Sequence, residues 1–147
     1  MLQAILKFFG KNGTPKQSNN KSILVVDDGE IERRVMRKIL EREGYRVFTA
    51  NDGDSGVRAG LDEKPDLICL DIGLPDMLGT EACRRLKSHA ETRHIPVLFM
   101  TGQDSPHYVI DSYDVGAEGY LTKPVDARTL VRQIEAILQD VGLSKSS

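Results

Sequence analysis

The 147-residue chain is short of the residue types that most readily announce chemistry. Its two cysteines, Cys69 and Cys83, have neither metal-ligand spacing nor a histidine beside them, which argues against a zinc site or a disulfide framework. Packing in a reducing cytosol is the role expected of them. The three histidines, His89, His94 and His107, are scattered over helix ends and loops and read as solvated side chains. No apolar run reaches the roughly 20 residues that cross a bilayer. Residues 1–9 lack the charged start and small-residue cleavage site of a signal peptide, so a cytoplasmic location is expected. Broad positive charge is missing as well: the net charge is −2, and all four lysines of residues 1–21 sit in an acid-free stretch, leaving 16 basic against 22 acidic residues beyond it. An acidic body argues against general nucleic-acid binding, which needs a cationic face to replace phosphate counterions.

What is present is the makeup of one globular domain with a basic extension. Leu2, Ile5, Leu6 and Phe9 fall at i, i+3, i+4 and i+7, so residues 2–9 are expected to form a short amphipathic helix that needs a surface to order on. Residues 10–21 have linker composition, the folded unit is expected over 22–140, and 141–147 reads as a polar tail. Within the unit, apolar or β-forming runs at 23–26, 46–50, 67–71, 97–100 and 120–122 alternate with helical patterns at 30–43, 52–61, 80–88, 105–115 and 127–140. Such alternation predicts βαβ units and a parallel sheet. In the first helix Ile31, Val35, Ile39 and Leu40 are expected on the apolar face, and Gly44 is a natural residue just past its end. The second helix is expected to be weak because it contains Gly53, Gly56 and Gly60. Asp126 is the expected N-cap of the last.

The strand endings carry the chemical signal. The first stops on Asp27-Asp28, the third on Asp71, the fourth on Thr101 and the fifth on Lys123-Pro124. In an open parallel sheet the ligand crevice lies outside the carboxyl ends of the strands, so these groups are expected to share one pocket. Three converging carboxylates repel one another, and a divalent cation resolves the conflict. Oxygen-only ligation suits Mg2+ or Mn2+, with the Gly73 carbonyl as a further candidate ligand. Thr101 and Lys123 make sense if an oxyanion is built there, and a phosphoryl group on Asp71 is the most economical choice.

With these residues in view, the chain resembles a response-regulator receiver domain of two-component signalling over about residues 22–140. The resemblance rests on Asp27-Asp28, Asp71, Leu74-Pro75-Asp76-Met77, Thr101-Gly102 and the run Gly116 to Pro124, in order and at the family's spacing. It implies a flavodoxin-like (βα)5 three-layer α/β sandwich with a five-stranded parallel sheet of order 2-1-3-4-5. It also implies a phosphoacceptor signalling protein that catalyses only its own phosphorylation and slow dephosphorylation. Asp71 would take phosphate from a histidine kinase or histidine phosphotransfer protein, in a phosphorelay, with Asp27 and Asp28 holding Mg2+. Thr101 would be the switch hydroxyl, Lys123 the phosphate-pairing cation, and Tyr120 the aromatic that swings inward. The Lys123-Pro124 bond matches one that is cis in the family, Gly102 leaves room for the donor, and Gly73 and Gln103 match positions that tune dephosphorylation. Leu78-Gly79 replaces the family's frequent Asp-Gly, read as a neutral change. With only Val141–Ser147 beyond the domain, output is expected as changed affinity for a protein at the 105–139 face. Two other readings stand beside this one. A metal-dependent phosphohydrolase would need an acid at the position of Gly73, and a constitutive scaffold docking through its N-terminal helix would not need Asp71, Thr101 and Lys123.

Overall fold

The structure, a computed structural model, describes residues 15–102 and 114–146. Five parallel strands, β1 (Ser22–Val26), β2 (Arg46–Ala50), β3 (Leu67–Asp71), β4 (Val97–Thr101) and β5 (Gly119–Thr122), form one sheet in the order 2-1-3-4-5. The described helices are α1 (Glu30–Arg42), α2 (Gly53–Glu63), α3 (Gly79–Lys87) and α4 (Ala127–Ser146). The helix expected over 105–115 lies outside the described residues apart from its last two positions, and the expected helix at 2–9 lies wholly outside them.

Every residue of β3 is buried, and its side chains alternate between two cores. Leu67 and Cys69 join Met36, Ile39, Leu40, Leu130 and Ile134 under α1 and α4, while Ile68 and Leu70 join Val57, Ala82, Cys83 and Leu86 under α2 and α3. A fully buried Leu or Ile contributes on the order of 1.5–3 kcal/mol, and a one-residue slip would exchange the two sets. Register is thus fixed from both faces, and with it the height of each strand ending.

Several local expectations change on contact with the structure. α1 buries Met36, Ile39 and Leu40, whereas Ile31, expected on the same apolar face, is 73% exposed. The glycines of α2 act as contact points rather than weak spots. A Cβ on Gly56 would lie 2.8 Å from Val26 Cγ1 and one on Gly60 would lie 2.7 Å from Leu86 Cδ2, so the helix sits close to the sheet and to α3. Asp52 caps α2 by accepting from the Ser55 amide at 2.8 Å. Leu78 is the N-cap of α3, offers no side-chain cap and leaves its own side chain 53% exposed. α4 runs to Ser146, past its expected end at Asp140, and Asp126 accepts from the Thr129 amide at 3.0 Å as its cap. That bond is the main reason the Asp126 carboxyl is held below the usual carboxylate range.

Residues 15–21 are exposed, yet they are tied to the domain by hydrogen bonds. The Lys16 amide donates to Arg42 O at 2.9 Å and the Asn19 amide to Gly44 O at 3.1 Å, closing the end of α1. Lys16 Nζ also pairs with Glu43 at 2.6 Å. Gly44, at φ +94°, is required here on both counts, since a Cβ would lie 2.3 Å from Gln17 O. The chain therefore enters the domain at the amino edge of the sheet, opposite the strand endings that carry the acidic residues.

Candidate functional site

Register brings the site together. β1 pairs with β3 so that Val26 faces Leu70, which places Asp27 and Asp71, one step further on, side by side. β3 pairs with β4 through Asp71 and Met100, and β4 with β5 through Thr101 and Thr122, so Thr101 and Lys123 follow at the same edge. The Lys123 amide donates to Thr101 O at 2.7 Å, and the Lys123–Pro124 peptide is cis.

Asp27 and Asp71 are buried at 1% and 6% exposure, yet each oxygen of both has a donor. In Asp27, Oδ1 accepts from the Gly29 amide at 2.8 Å and Oδ2 from Lys123 Nζ at 2.8 Å. In Asp71, Oδ1 accepts from the Gly73 amide at 3.1 Å and Oδ2 from the same Nζ at 3.0 Å. Burial alone would lower the Lys123 pKa, but the hydrogen bonds and charges of the two carboxylates outweigh it and hold the ammonium above its ordinary range. Arg33 Nη1 donates to Asp27 O at 2.7 Å and fixes that backbone. Asp28 is exposed, and one oxygen from each of Asp27, Asp28 and Asp71 lies within 4.8 Å of the others. One ammonium against three carboxylates leaves a net negative, hard-oxygen cluster. That donor set fits a divalent cation of the Mg2+ type and gives zinc neither nitrogen nor sulfur.

Among the other expected site residues, Thr101 is buried at 4% exposure and Gly73 is exposed just past Asp71. Tyr120 is partly buried and packs against the α2–α3 core, opposite Phe99 in register. Gln103 and His107 lie outside the described residues, as does part of the 105–139 face. His89 and His94 are exposed, and His94 sits at the sheet's opposite edge, just before β4. Burial pushes the Cys69 thiol up to about 12 and is the main reason Cys83 rises to about 11, which leaves both as packing groups.

Two contributors were not singled out from sequence. Arg33 lies on a helix rich in charged residues and carries no motif of its own. Gly79 marked only a helix start, yet a Cβ there would lie 2.2 Å from Asp71 O, so α3 begins directly against the backbone of Asp71. No local pattern reveals such an approach, because it depends on how the loop returns to β3. Beside the site, Asp27, Glu32, Met36, Lys123, Pro124 and Val125 line a largely apolar groove of about 300 Å³.

A buried aspartate at the carboxyl end of the middle strand, an acidic neighbour pair and a lysine bridging them on a 2-1-3-4-5 sheet define a receiver-type phosphoacceptor module. Residues 23–135 match the family described as response regulator receiver domain, and the chain belongs to that family. As such it is a phosphoacceptor signalling protein of two-component systems rather than a classical enzyme. It is similar to the protein PilH of Pseudomonas aeruginosa, at 40% identity over 79% of this chain and 96% of that one. It is also similar to the alkaline phosphatase synthesis transcriptional regulatory protein PhoP of Bacillus subtilis, at 39% identity over 82% of this chain but only 49% of the relative. The crystal structure of a CheY-like receiver domain protein from Methanospirillum hungatei superposes with a TM-score of 0.79, at 34% identity over 84% of this chain and 98% of that one.

Proposed function

We propose that Asp71 accepts a phosphoryl group from a histidine kinase or histidine phosphotransfer protein in a Mg2+-dependent reaction, and that the phosphorylated chain signals through changed affinity for another protein. The observation that carries this reading is the lysine shared between two buried carboxylates, Lys123 Nζ lying 2.8 Å from Asp27 and 3.0 Å from Asp71. An Asp71 oxygen forms the new P–O bond as the donor's P–N bond breaks, and the donor imidazole leaves with that bond's electron pair. Lys123 turns from the free carboxylate to a phosphoryl oxygen, and the Thr101 hydroxyl donates to another, with Tyr120 following it inward. Asp27, Asp28, Asp71 and the Gly73 carbonyl would hold Mg2+ or Mn2+, which would supply charge neutralisation at the phosphoryl oxygens. Gly102, where a Cβ would have nothing within 4 Å, leaves the approach to Asp71 open. Gly73 and Gln103 set how readily water removes the group.

Coupling of phosphorylation to partner binding at the 105–139 face is worth about 1–3 kcal/mol in each direction. Among the described residues no helix is long and apolar enough to cross a membrane. We assign the domain to the cytoplasm, with residues 2–9 docking it weakly to a membrane surface or partner. Deleting residues 1–14 should then change localisation and leave phosphorylation kinetics as they are; unchanged localisation rejects the docking role. The central test is incubation with acetyl phosphate and Mg2+ followed by intact mass. One added phosphoryl group, stable in acid, released by hydroxylamine and absent from Asp71→Asn, is the expected result. No uptake by a chain that binds Mg2+ would favour a constitutive scaffold.

A further inference from the structure

The loop 72–78, which follows Asp71 and carries Gly73, is held from the side by one carboxylate. Asp76 Oδ1 accepts from the Gly53 amide at 2.7 Å and Oδ2 from the Asp54 amide at 2.9 Å. These are the first two amides of α2, donors that a helix cannot satisfy internally. The helix's own cap, Asp52, serves Ser55 instead, so the two leading amides are taken by a residue from another loop. The same contact is reinforced by packing: a Cβ on Gly53 would lie 2.4 Å from Met77 Cγ, so loop and helix start meet only because residue 53 is glycine. α2 is in turn seated on the sheet through Gly56 against Val26. At the far end of the loop Leu78 gives α3 no side-chain cap, while Leu74 is buried in the core. The loop's base is tied by the Gly79 amide to Ile72 O at 2.8 Å, whereas Gly73, Pro75 and Asp76 are exposed.

We infer that Asp76 is a positioning residue: by clasping the start of α2 it fixes the loop that presents Gly73 beside Asp71, and so sets cation affinity and phosphoryl uptake without touching either. This inference rests on the proposed phosphoacceptor chemistry. It differs from a simple helix-capping role, in which losing Asp76 would cost stability alone.

The test compares Asp76→Ala with Asp52→Ala, which removes a cap from the same helix end but leaves the loop clasp in place. Mg2+ affinity is measured by calorimetric titration with Mg2+ alone, stability by urea unfolding, and uptake by intact mass after acetyl phosphate. Asp76→Ala should weaken Mg2+ binding on the order of tenfold, the lower end of what partners of metal-binding groups are worth. Uptake should fall with it, Asp76→Asn, which keeps one acceptor oxygen, should lie between, and Asp52→Ala should lose stability at unchanged Mg2+ affinity. Unaltered affinity in Asp76→Ala, or equal loss in both alanine variants, would overturn the positioning role while wild-type uptake keeps the phosphoacceptor reading intact. A wild-type chain that neither binds Mg2+ nor takes up phosphate would remove both.

Discussion

Gly79→Ala is the substitution whose outcome the packing beside Asp71 determines most sharply. The added Cβ would lie 2.2 Å from Asp71 O, 2.9 Å from Ile72 Cα and 3.0 Å from Asp71 C. All three are backbone atoms, so no rotamer change relieves the clash. Restoring ordinary contact needs α3 to move by about 1 Å from β3, and over-packing of this kind costs roughly 1–3 kcal/mol. Against it stands the gain from replacing glycine in a helix, at most about 1 kcal/mol and smaller at a first position. The net expectation is a loss of about 1–2 kcal/mol, read as a lower urea midpoint. The same displacement moves the backbone of Asp71, the proposed phosphoacceptor, and a misplacement near 1 Å can cost about a hundredfold in rate, so uptake from acetyl phosphate should fall by one to two orders of magnitude. Gly142→Ala is the internal control. It sits in α4 with nothing within 4 Å of its Cβ, so the same chemical change should stabilise by up to about 1 kcal/mol. A Gly79→Ala variant as stable and as reactive as wild type would refute the close-approach argument.

Three further outcomes follow from other parts of the structure. Leu78→Asp supplies the side-chain cap that α3 lacks and removes an exposed apolar side chain, so urea unfolding should show a gain of about 0.5–2 kcal/mol; no gain would mean that the bonds the Gly79 and Glu81 amides already make leave a side-chain cap nothing to add. Deleting residues 1–14 should leave stability unchanged, whereas deleting 1–20 should lower it by about 1–3 kcal/mol, since hydrogen bonds from Lys16 and Asn19 are each worth roughly 0.5–1.5. Equal urea midpoints would show that the hydrogen-bonded strap contributes nothing. Ile31 is 73% exposed and directly precedes Glu32, which lines the groove beside the site; on the proposed reading it is a contact for the phosphoryl donor protein. Ile31→Ser should slow uptake from a cognate protein donor and leave uptake from acetyl phosphate and stability as they were; parallel loss with both donors would point to damage at the site itself.

The strand framework was legible because each strand is an apolar run bounded by turn residues, and a buried parallel sheet leaves that signature in sequence. The site was legible for the same reason: Asp27, Asp71, Thr101 and Lys123 stand at the ends of those runs, so knowing the strands gives the edge they share. What sequence did not show depends on contacts between distant segments. Periodicity placed Ile31 on the buried face of α1, but burial depends on what the rest of the fold packs against that turn, and Ile31 stays 73% exposed. Gly56 and Gly60 lowered the propensity of α2, yet their missing side chains are what allow it to approach Val26 and Leu86. The strap at 15–21 has linker composition and gains its order from α1's last carbonyls, which no local pattern encodes. Asp76 and Gly79 belonged to a recognisable run, but their partners, the α2 amides and the Asp71 carbonyl, come from elsewhere in the chain.

The most direct measurement is to locate the phosphoryl group. After acetyl phosphate and Mg2+ treatment, borohydride reduction converts an aspartyl phosphate to homoserine, and tandem mass spectrometry reads its position. Homoserine at residue 71 alone, requiring Mg2+, is the predicted result. Homoserine at residue 27 or 28, or at none of the three in a folded, Mg2+-binding chain, would contradict the assignment of Asp71 as the phosphoacceptor.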